Sequence, residues 1–458
     1  MSPTLPLAVE VAGARLVGRL SRLARAGGGT TLPGKLLWRL DPGALDRLAA
    51  RLPLGSAVVS ATNGKTTTSA MVAEILAPSV ELAHNRAGAN LVSGVVSALV
   101  AAPRSAELGL FEVDEAHLPE VARRLRPRAI CFGNLFRDQL DRYGELEHVA
   151  ERWRRAVAEL PADTWVVANA DDPQVGSLAE GRERALRFGL DDPRHAHERL
   201  QHAADSKYCI RCGTPYDYEA AYVGHLGDYR CPSCGHARPP LDVCARGIEL
   251  DGLDGSRFTL VLPDGERPVA LRLPGLYNVY NAIAAAALTY ALAASGEEIV
   301  AGLERFAASF GRSERIAVGD KGLLVLLIKN PAGANEVVRT LLSAGPPAQA
   351  VIALNDAIAD GQDVSWIWDV DFEPLLERLE RIVVTGDRAA ELALRLRYGG
   401  FTGDLEVVPE LERALDRGLE QTAPGEELVL LPTYTAMLAL RRIVTARGFV
   451  RPYWERAA

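Results

Sequence analysis

Long apolar runs are missing from this sequence. The longest nearly apolar stretch, residues 282–294, covers 13 residues and is broken by Thr289 and Tyr290, short of the roughly 20 that a bilayer-crossing helix needs. The chain is therefore not expected to span a membrane. A charged-then-apolar leader ending in a small-residue cleavage site is also missing, so the cytoplasm is the expected compartment. Positive charge is not in excess: 51 Lys+Arg stand against 59 Asp+Glu, a net of -8, whereas a generic nucleic-acid binder is more often basic. Lysine is scarce. Lys35, Lys65, Lys207, Lys321 and Lys329 are the only five, and each position asks for a reason. In a reducing compartment the six cysteines are expected in metal binding or burial, not in disulfides.

What is present is the composition of a globular protein, 458 residues with 48% hydrophobic, enough for several domains of roughly 150 residues. Residues 1–50 stand apart. Arg15, Arg19, Arg22 and Arg25 run beside Leu16, Leu20 and Leu23 at helical spacing before Gly27-Gly28-Gly29, which predicts an amphipathic helix and a breaker. Seven cations and three anions leave this segment at +4. A solvated helix packed by its leucines is the expected reading, with peripheral contact to an anionic membrane surface as the alternative.

From residue 51 to about 315 the pattern is strand, loop, helix, repeated. Strands are predicted at 57–60, 108–113, 129–132 and 165–169, with helices at 66–76 and 146–160, an alternation that predicts an α/β fold with a mainly parallel sheet. A segment at about 205–240, rich in Cys, Gly, Pro and Tyr, interrupts this rhythm as an insert. A second α/β unit occupies 316–458, with strands predicted at 323–328, 350–354, 381–385 and 428–431.

The loop Ser60-Ala61-Thr62-Asn63-Gly64-Lys65-Thr66-Thr67 joins a predicted strand to a predicted helix. Backbone N–H groups and the helix N-terminus there can face phosphates, with Lys65 at the β/γ-phosphates and the Thr66 hydroxyl on Mg²⁺. It is not a strict P-loop, since Val59 stands where that pattern requires glycine. A turn with a surface lysine is the bland reading, but Lys65 is the only lysine between Lys35 and Lys207. The carboxylates of Glu112, Asp114 and Glu115, at the end of the next strand, are suited to hold Mg²⁺. Polar clusters follow two further strands, Asn134 to Gly144 and Asn169-Ala170-Asp171-Asp172-Pro173. Such clusters line the ligand crevice of a parallel sheet or serve as turns and caps.

The cysteines carry the most specific pattern. Cys209-x2-Cys212 and Cys231-x2-Cys234 are separated by 18 residues, within the spacing of a four-thiolate Zn²⁺ site that is closed and structural. Unligated thiols would leave the insert with little to fold it. Among the nearby histidines, His195, His197, His202, His225 and His236 could compete, but four thiolates already satisfy zinc. Cys131 and Cys244 are expected to be buried.

These motifs, together with Gly275-Leu276-Tyr277-Asn278-Val279-Tyr280-Asn281 and Gly311-Arg312-Ser313-Glu314, resemble in order the ATPase domain of the Mur ligases. The cysteine insert, Asn134 to Glu145, Lys329-Asn330-Pro331-Ala332-Gly333, Asn355-Asp356-Ala357-Ile358-Ala359-Asp360-Gly361 and Pro432-Thr433-Tyr434 narrow the resemblance to the MurT family. The resemblance runs from about residue 35 to 450. It implies a P-loop ATPase domain with an inserted zinc ribbon and a Rossmann-like C-terminal domain. It also implies an activity: ATP phosphorylates the α-carboxylate of D-glutamate in the lipid II stem peptide, and ammonia from a GatD-like class I glutaminase subunit attacks it. By the same resemblance ATP meets Thr62, Asn63, Gly64, Lys65, Thr66 and Thr67, Asn278 sits at the adenine and Arg312 at the phosphates. Asp356, in preference to Asp360, completes the glutaminase Cys-His pair.

Three departures stand out. Ala61 occupies a usual glycine position, where a methyl crowds the loop unless its φ is negative. Ala357 stands where the family often has Asn. Lys207, two residues before Cys209, is the only lysine between 65 and 321, so no carbamylated lysine is predicted. The rival enzyme reading is a folylpolyglutamate-synthase-like ligase that joins an amino acid. The non-enzyme reading is a degenerate ATPase fold whose ribbon binds a partner, and the acidic Asp217, Glu219 and Asp228 argue against nucleic acid as that partner.

Overall fold

The computed structural model describes residues 7–23, 31–85, 89–138, 146–197, 200, 204–307, 312–345 and 347–450. The first sheet is built from β1 (Ser56–Ser60), β2 (Leu82–His84), β3 (Leu108–Glu112), β4 (Ala129–Phe132), β5 (Trp165–Asn169) and β6 (Ala185–Leu190). The insert contributes a separate antiparallel hairpin of β7 (Asp217–Val223) and β8 (Leu226–Arg230), after which β9 (Val243–Leu250), β10 (Ser256–Leu262) and β11 (Gly265–Leu271) complete the sheet. Its order is β11-β10-β9-β6-β5-β4-β1-β3-β2, parallel from β9 to β2 and antiparallel from β9 to β11.

The residues explain both halves. Every residue of β1, β3 and β4 is buried, as expected for parallel strands covered on both faces, which read as continuous apolar runs. β10 instead alternates buried with less buried residues, since an antiparallel edge can leave one face to water. The helix Leu276–Ala291 lies across the sheet with nearly every residue buried. Its run of alanines lets the backbone approach closely, where larger side chains would hold it off.

Two apolar layers flank this sheet. One holds Val59, Met71, Phe136 and the alanine helix. The other gathers Val58, Phe111 and Trp153 with Val11, Ala14, Leu37 and Leu45 from the first three helices. The helix Leu7–Leu23 is therefore packed, but by Val11 and Ala14 and not by Leu16, which is exposed, while the side chains of Leu20 and Leu23 lie outside the described ones. Arg15 donates to the carbonyls of Val100 and Ala102 at 2.7 and 3.0 Å. No helix among the described residues is long and apolar enough to cross a membrane.

The second sheet comprises β12 (Arg312–Val318), β13 (Lys321–Leu326), β14 (Gln349–Ala353), β15 (Arg381–Thr385), β16 (Asp404–Val407) and β17 (Glu427–Pro432) in the order β12-β13-β17-β14-β15-β16. All its pairs are parallel except β12 with β13. The four strands predicted here are all present; β12 and β16 are two the sequence pattern missed.

Candidate active site

The loop Ala61–Gly64 leaves the carboxyl end of β1 and enters the helix Lys65–Leu76. Gly64 has φ +87, and a Cβ there would lie 2.0 Å from Asn281 Oδ1, so only glycine fits. Ala61 keeps a negative φ, since Arg126 and Ala293 are the only non-glycine residues with positive φ among those described. Its methyl occupies room left by a different glycine: a Cβ on Gly133 would come within 2.7 Å of Ala61 Cβ. The glycine missing at 61 is thus matched by one at 133, on the neighbouring strand end.

Lys65 is buried and its Nζ donates to Glu115 at 2.8 Å and to the carbonyl of Ala61. Burial alone would lower its pKa, but the carboxylates of Glu115, Asp114 and Glu112 outweigh that and hold it above the ordinary lysine value. It is a permanent cation at the start of a helix. The Thr66 hydroxyl donates to Glu112 Oε2 at 2.8 Å, so the two predicted Mg²⁺ ligands converge. Oxygen donors at a helix N-terminus suit a hard cation that also carries phosphate oxygens. Glu112 is in turn fixed by Asn85, which accepts from its N–H at 2.9 Å and donates to its carbonyl at 2.7 Å. Sequence reasoning passed over Asn85; no local pattern marks it. Thr67 is half-buried on the first helical turn.

The segment after β4 folds back onto the loop. Thr62 N–H donates to the Asn134 carbonyl at 2.9 Å, and Asn63 exchanges bonds with the Asn134 side chain. Thr62 Oγ1 accepts from Phe136 N–H at 3.1 Å and donates to its carbonyl at 3.3 Å. Residues 139–145 of this motif lie outside the described residues. By contrast, the predicted crevice residues Asp171 and Asp172 are spent on internal bonds. Asp171 accepts from Tyr280, Leu190 and Arg238, and Asp172 from the N–H groups of Leu135, Gln174 and Val175.

The C-terminal domain reaches the same loop. Lys329, just beyond β13, donates to the Thr62 carbonyl at 2.9 Å and pairs with Asp138. Asn330 and Asn63 exchange side-chain bonds at 3.0 and 3.1 Å. Asn278 is buried, its Nδ2 donating to the Pro274 carbonyl and its Oδ1 accepting from Asn281. Neither asparagine is the N-cap, which is Gly275. Arg312 opens β12, but its side chain lies outside the described ones. Glu314 is buried against Arg441.

Asp356 follows β14 and bonds Arg388 Nε at 2.8 Å with a third of its side chain exposed, 32%. Asp360 is buried, accepting from Thr435 N–H at 2.8 Å at the start of the helix Tyr434–Ala446. One carboxylate is partly exposed in an ion pair with Arg388 and the other is tied into the fold.

Cys209, Cys212, Cys231 and Cys234 bring their Sγ atoms within 4.8 Å of one another. Arg211 and Cys234 direct N–H groups at Cys209 and Cys231 Sγ, and the donor set is the all-thiolate one that zinc favours. His195, His197, His225 and His236 stand outside this group of four, and His202 lies outside the described residues. Cys131 and Cys244 are buried.

Residues 59–226 match the Mur ligase middle domain and residues 327–437 the MurT ligase C-terminal domain. The chain is 34% identical to the lipid II isoglutaminyl synthase (glutamine-hydrolyzing) subunit MurT of Streptococcus pneumoniae, over 95% of this chain and 97% of that protein. It is 33% identical to the subunit of the same name from Staphylococcus aureus, over 89% of this chain and 91% of that protein. Among solved structures, a pseudomurein peptide ligase type C from Methanothermus fervidus superposes with a TM-score of 0.66. Its identity is 21%, covering 86% of this chain and 79% of the other.

Proposed function

The chain belongs to the MurT family, the synthetase subunits of lipid II isoglutaminyl synthase, and from that membership we propose how its residues divide the work. The protein is an ATP-dependent carbon–nitrogen ligase of peptidoglycan synthesis. A carboxylate oxygen of D-glutamate in the lipid II stem peptide attacks the γ-phosphorus of ATP, the bond to ADP breaks, and an acyl phosphate forms. Ammonia released from glutamine by a GatD-type subunit then attacks the acyl carbon; phosphate leaves, a proton is lost, and D-isoglutamine remains.

The residue roles follow from charge. Phosphoryl transfer needs in-line positioning and neutralisation of the oxygens, with little covalent chemistry left to the protein. Lys65 supplies a fixed cation, and the N–H groups at the start of the helix, residues 64–66, face the phosphates, those of Thr62 and Asn63 being bonded to Asn134. Thr66 and Glu112 would hold Mg²⁺, which would neutralise phosphate charge when bound. Lys329 brings a second cation from the C-terminal domain to the same loop. Asp356 faces the glutaminase and orients its base. The four thiolates would hold Zn²⁺ in a structural role.

The observation that carries this reading is the convergence of Lys65, Thr66, Glu112 and Lys329 on one loop. The test is to incubate the chain with a GatD-type glutaminase, ATP, Mg²⁺, glutamine and lipid II. The stem peptide is expected to lose the mass that separates an acid from its amide. An unchanged mass, or a gain of a whole amino acid, contradicts the proposal; the latter favours the folylpolyglutamate-synthase-like alternative.

A further inference from the structure

Besides its bonds to Asp171 and Glu180, the cysteine insert touches the ATPase domain at two points on the segment that holds the phosphate loop. The first is its hairpin. A two-residue turn, Gly224-His225, joins β7 to β8, with Gly224 at φ +58 as such turns require. This tip is not presented to solvent. His225 is fully buried, its ring 4.9 Å from that of Phe136, and its Nε2 lies 3.3 Å from Asp172 Oδ2. A Cβ on Gly224 would come 2.9 Å from Phe136 Cε1. Ala220, Tyr222, Val223 and Leu226 of the hairpin share one core with Phe136, Val59 and Met71, the apolar layer under β1 and the loop's helix. The second point is Asp205, four residues before Cys209, which accepts from Arg137 N–H at 2.9 Å and pairs with its guanidinium.

Phe136 and Arg137 are thus gripped by the insert from both ends. Phe136 is also the residue whose N–H and C=O both bond Thr62 Oγ1. A displacement of Phe136 moves Thr62, and with it the N–H groups that meet phosphate. The thiolate cluster closes the far end of the same hairpin, since Cys231 directly follows β8.

We infer that the four-cysteine insert is a positioning element of the nucleotide site, acting through His225 and Phe136 on Thr62. Its contribution is to hold the loop in the phosphate-binding geometry before ATP arrives, because misplacement of such donors by a fraction of an ångström is costly. This rests on the reading of residues 61–66 as the ATP phosphate loop.

The test uses the full chain with its glutaminase partner. His225→Ala is expected to keep its metal, read by zinc content, and its glutaminase activity. Its KM and Kd for ATP rise about tenfold while kcat changes by less than about threefold. Amide hydrogen exchange over residues 61–66 speeds up. His225→Phe, which keeps a ring against Phe136, restores most of the ATP affinity. A folded, zinc-replete His225→Ala protein with unchanged ATP affinity and unchanged exchange overturns the inference. Should His225→Ala fail to fold, Phe136→Leu, which stays apolar but loses the ring that meets His225, is read by the same two criteria and decides in its place. Absence of ATP binding by the unsubstituted chain would refute the nucleotide-site reading, a result distinct from either.

Discussion

Substituting Gly133→Ala tests the packing of the phosphate loop more sharply than removing any charged group. The new methyl would meet Ala61 Cβ at 2.7 Å, with the Ser60 carbonyl oxygen next at 3.8 Å, so the clash is with one atom of the loop and nothing else close by. Ala61 is buried on the strand end and cannot swing away without moving Thr62. Overpacking of this kind costs about 1–3 kcal/mol. Expressed in the loop's function, that is a fall in kcat/KM for ATP of roughly fivefold to 150-fold. Ala61→Gly alone removes a buried methyl and adds backbone freedom, together worth about 1–2 kcal/mol. The double substitution exchanges the two residues, leaving one methyl in the same space. It should return ATP kcat/KM to within about threefold of the original, so that penalties of about 2–5 kcal/mol if simply added largely cancel. The assay is ADP release as a function of ATP, with excess ammonia and lipid II. Additive effects of the two substitutions would refute the reasoning, because they would mean the methyls do not compete for one site.

Asp356→Asn should lower glutamine-driven amidation by about a hundredfold or more while amidation from free ammonium salt stays near its original rate; equal loss with both nitrogen sources would place Asp356 elsewhere. Glu336 is buried, and burial raises its pKa to about 7 despite Arg339. The folded chain therefore holds a proton there that the unfolded chain has released, so stability falls as pH rises from about 4.5 to 7. Glu336→Gln should remove that fall, melting higher than the original chain at pH 8 and close to it at pH 5. Parallel melting curves of the two proteins across this range would show that Glu336 does not titrate as argued.

Much of the architecture is legible in the sequence because parallel strands covered on both faces read as short apolar runs. The strands at 129–132, 165–169 and 381–385 match β4, β5 and β15 to the residue. β2, three residues long, and β16, half-exposed, carry too little apolar signal to stand out. The loop and the cysteine cluster are local in sequence and so were visible. Relations across the chain were not. Lys329 drew notice as a scarce lysine, but its partners Thr62 and Asp138 belong to the other domain. Asn85 is an ordinary asparagine until the fold sets it beside the Glu112 backbone. The exchange of glycine between positions 61 and 133 is a relation between two strand ends, and a single position read in isolation reports only a departure.

The central claim is that the phosphate loop activates the α-carboxylate as an acyl phosphate for attack by ammonia. Lipid II carrying heavy oxygen in that carboxylate, incubated with the chain, its glutaminase partner, ATP, Mg²⁺ and glutamine, tests this directly. The account predicts that the phosphate released carries one heavy oxygen for each amide formed. Amide formation with unlabelled phosphate would contradict it.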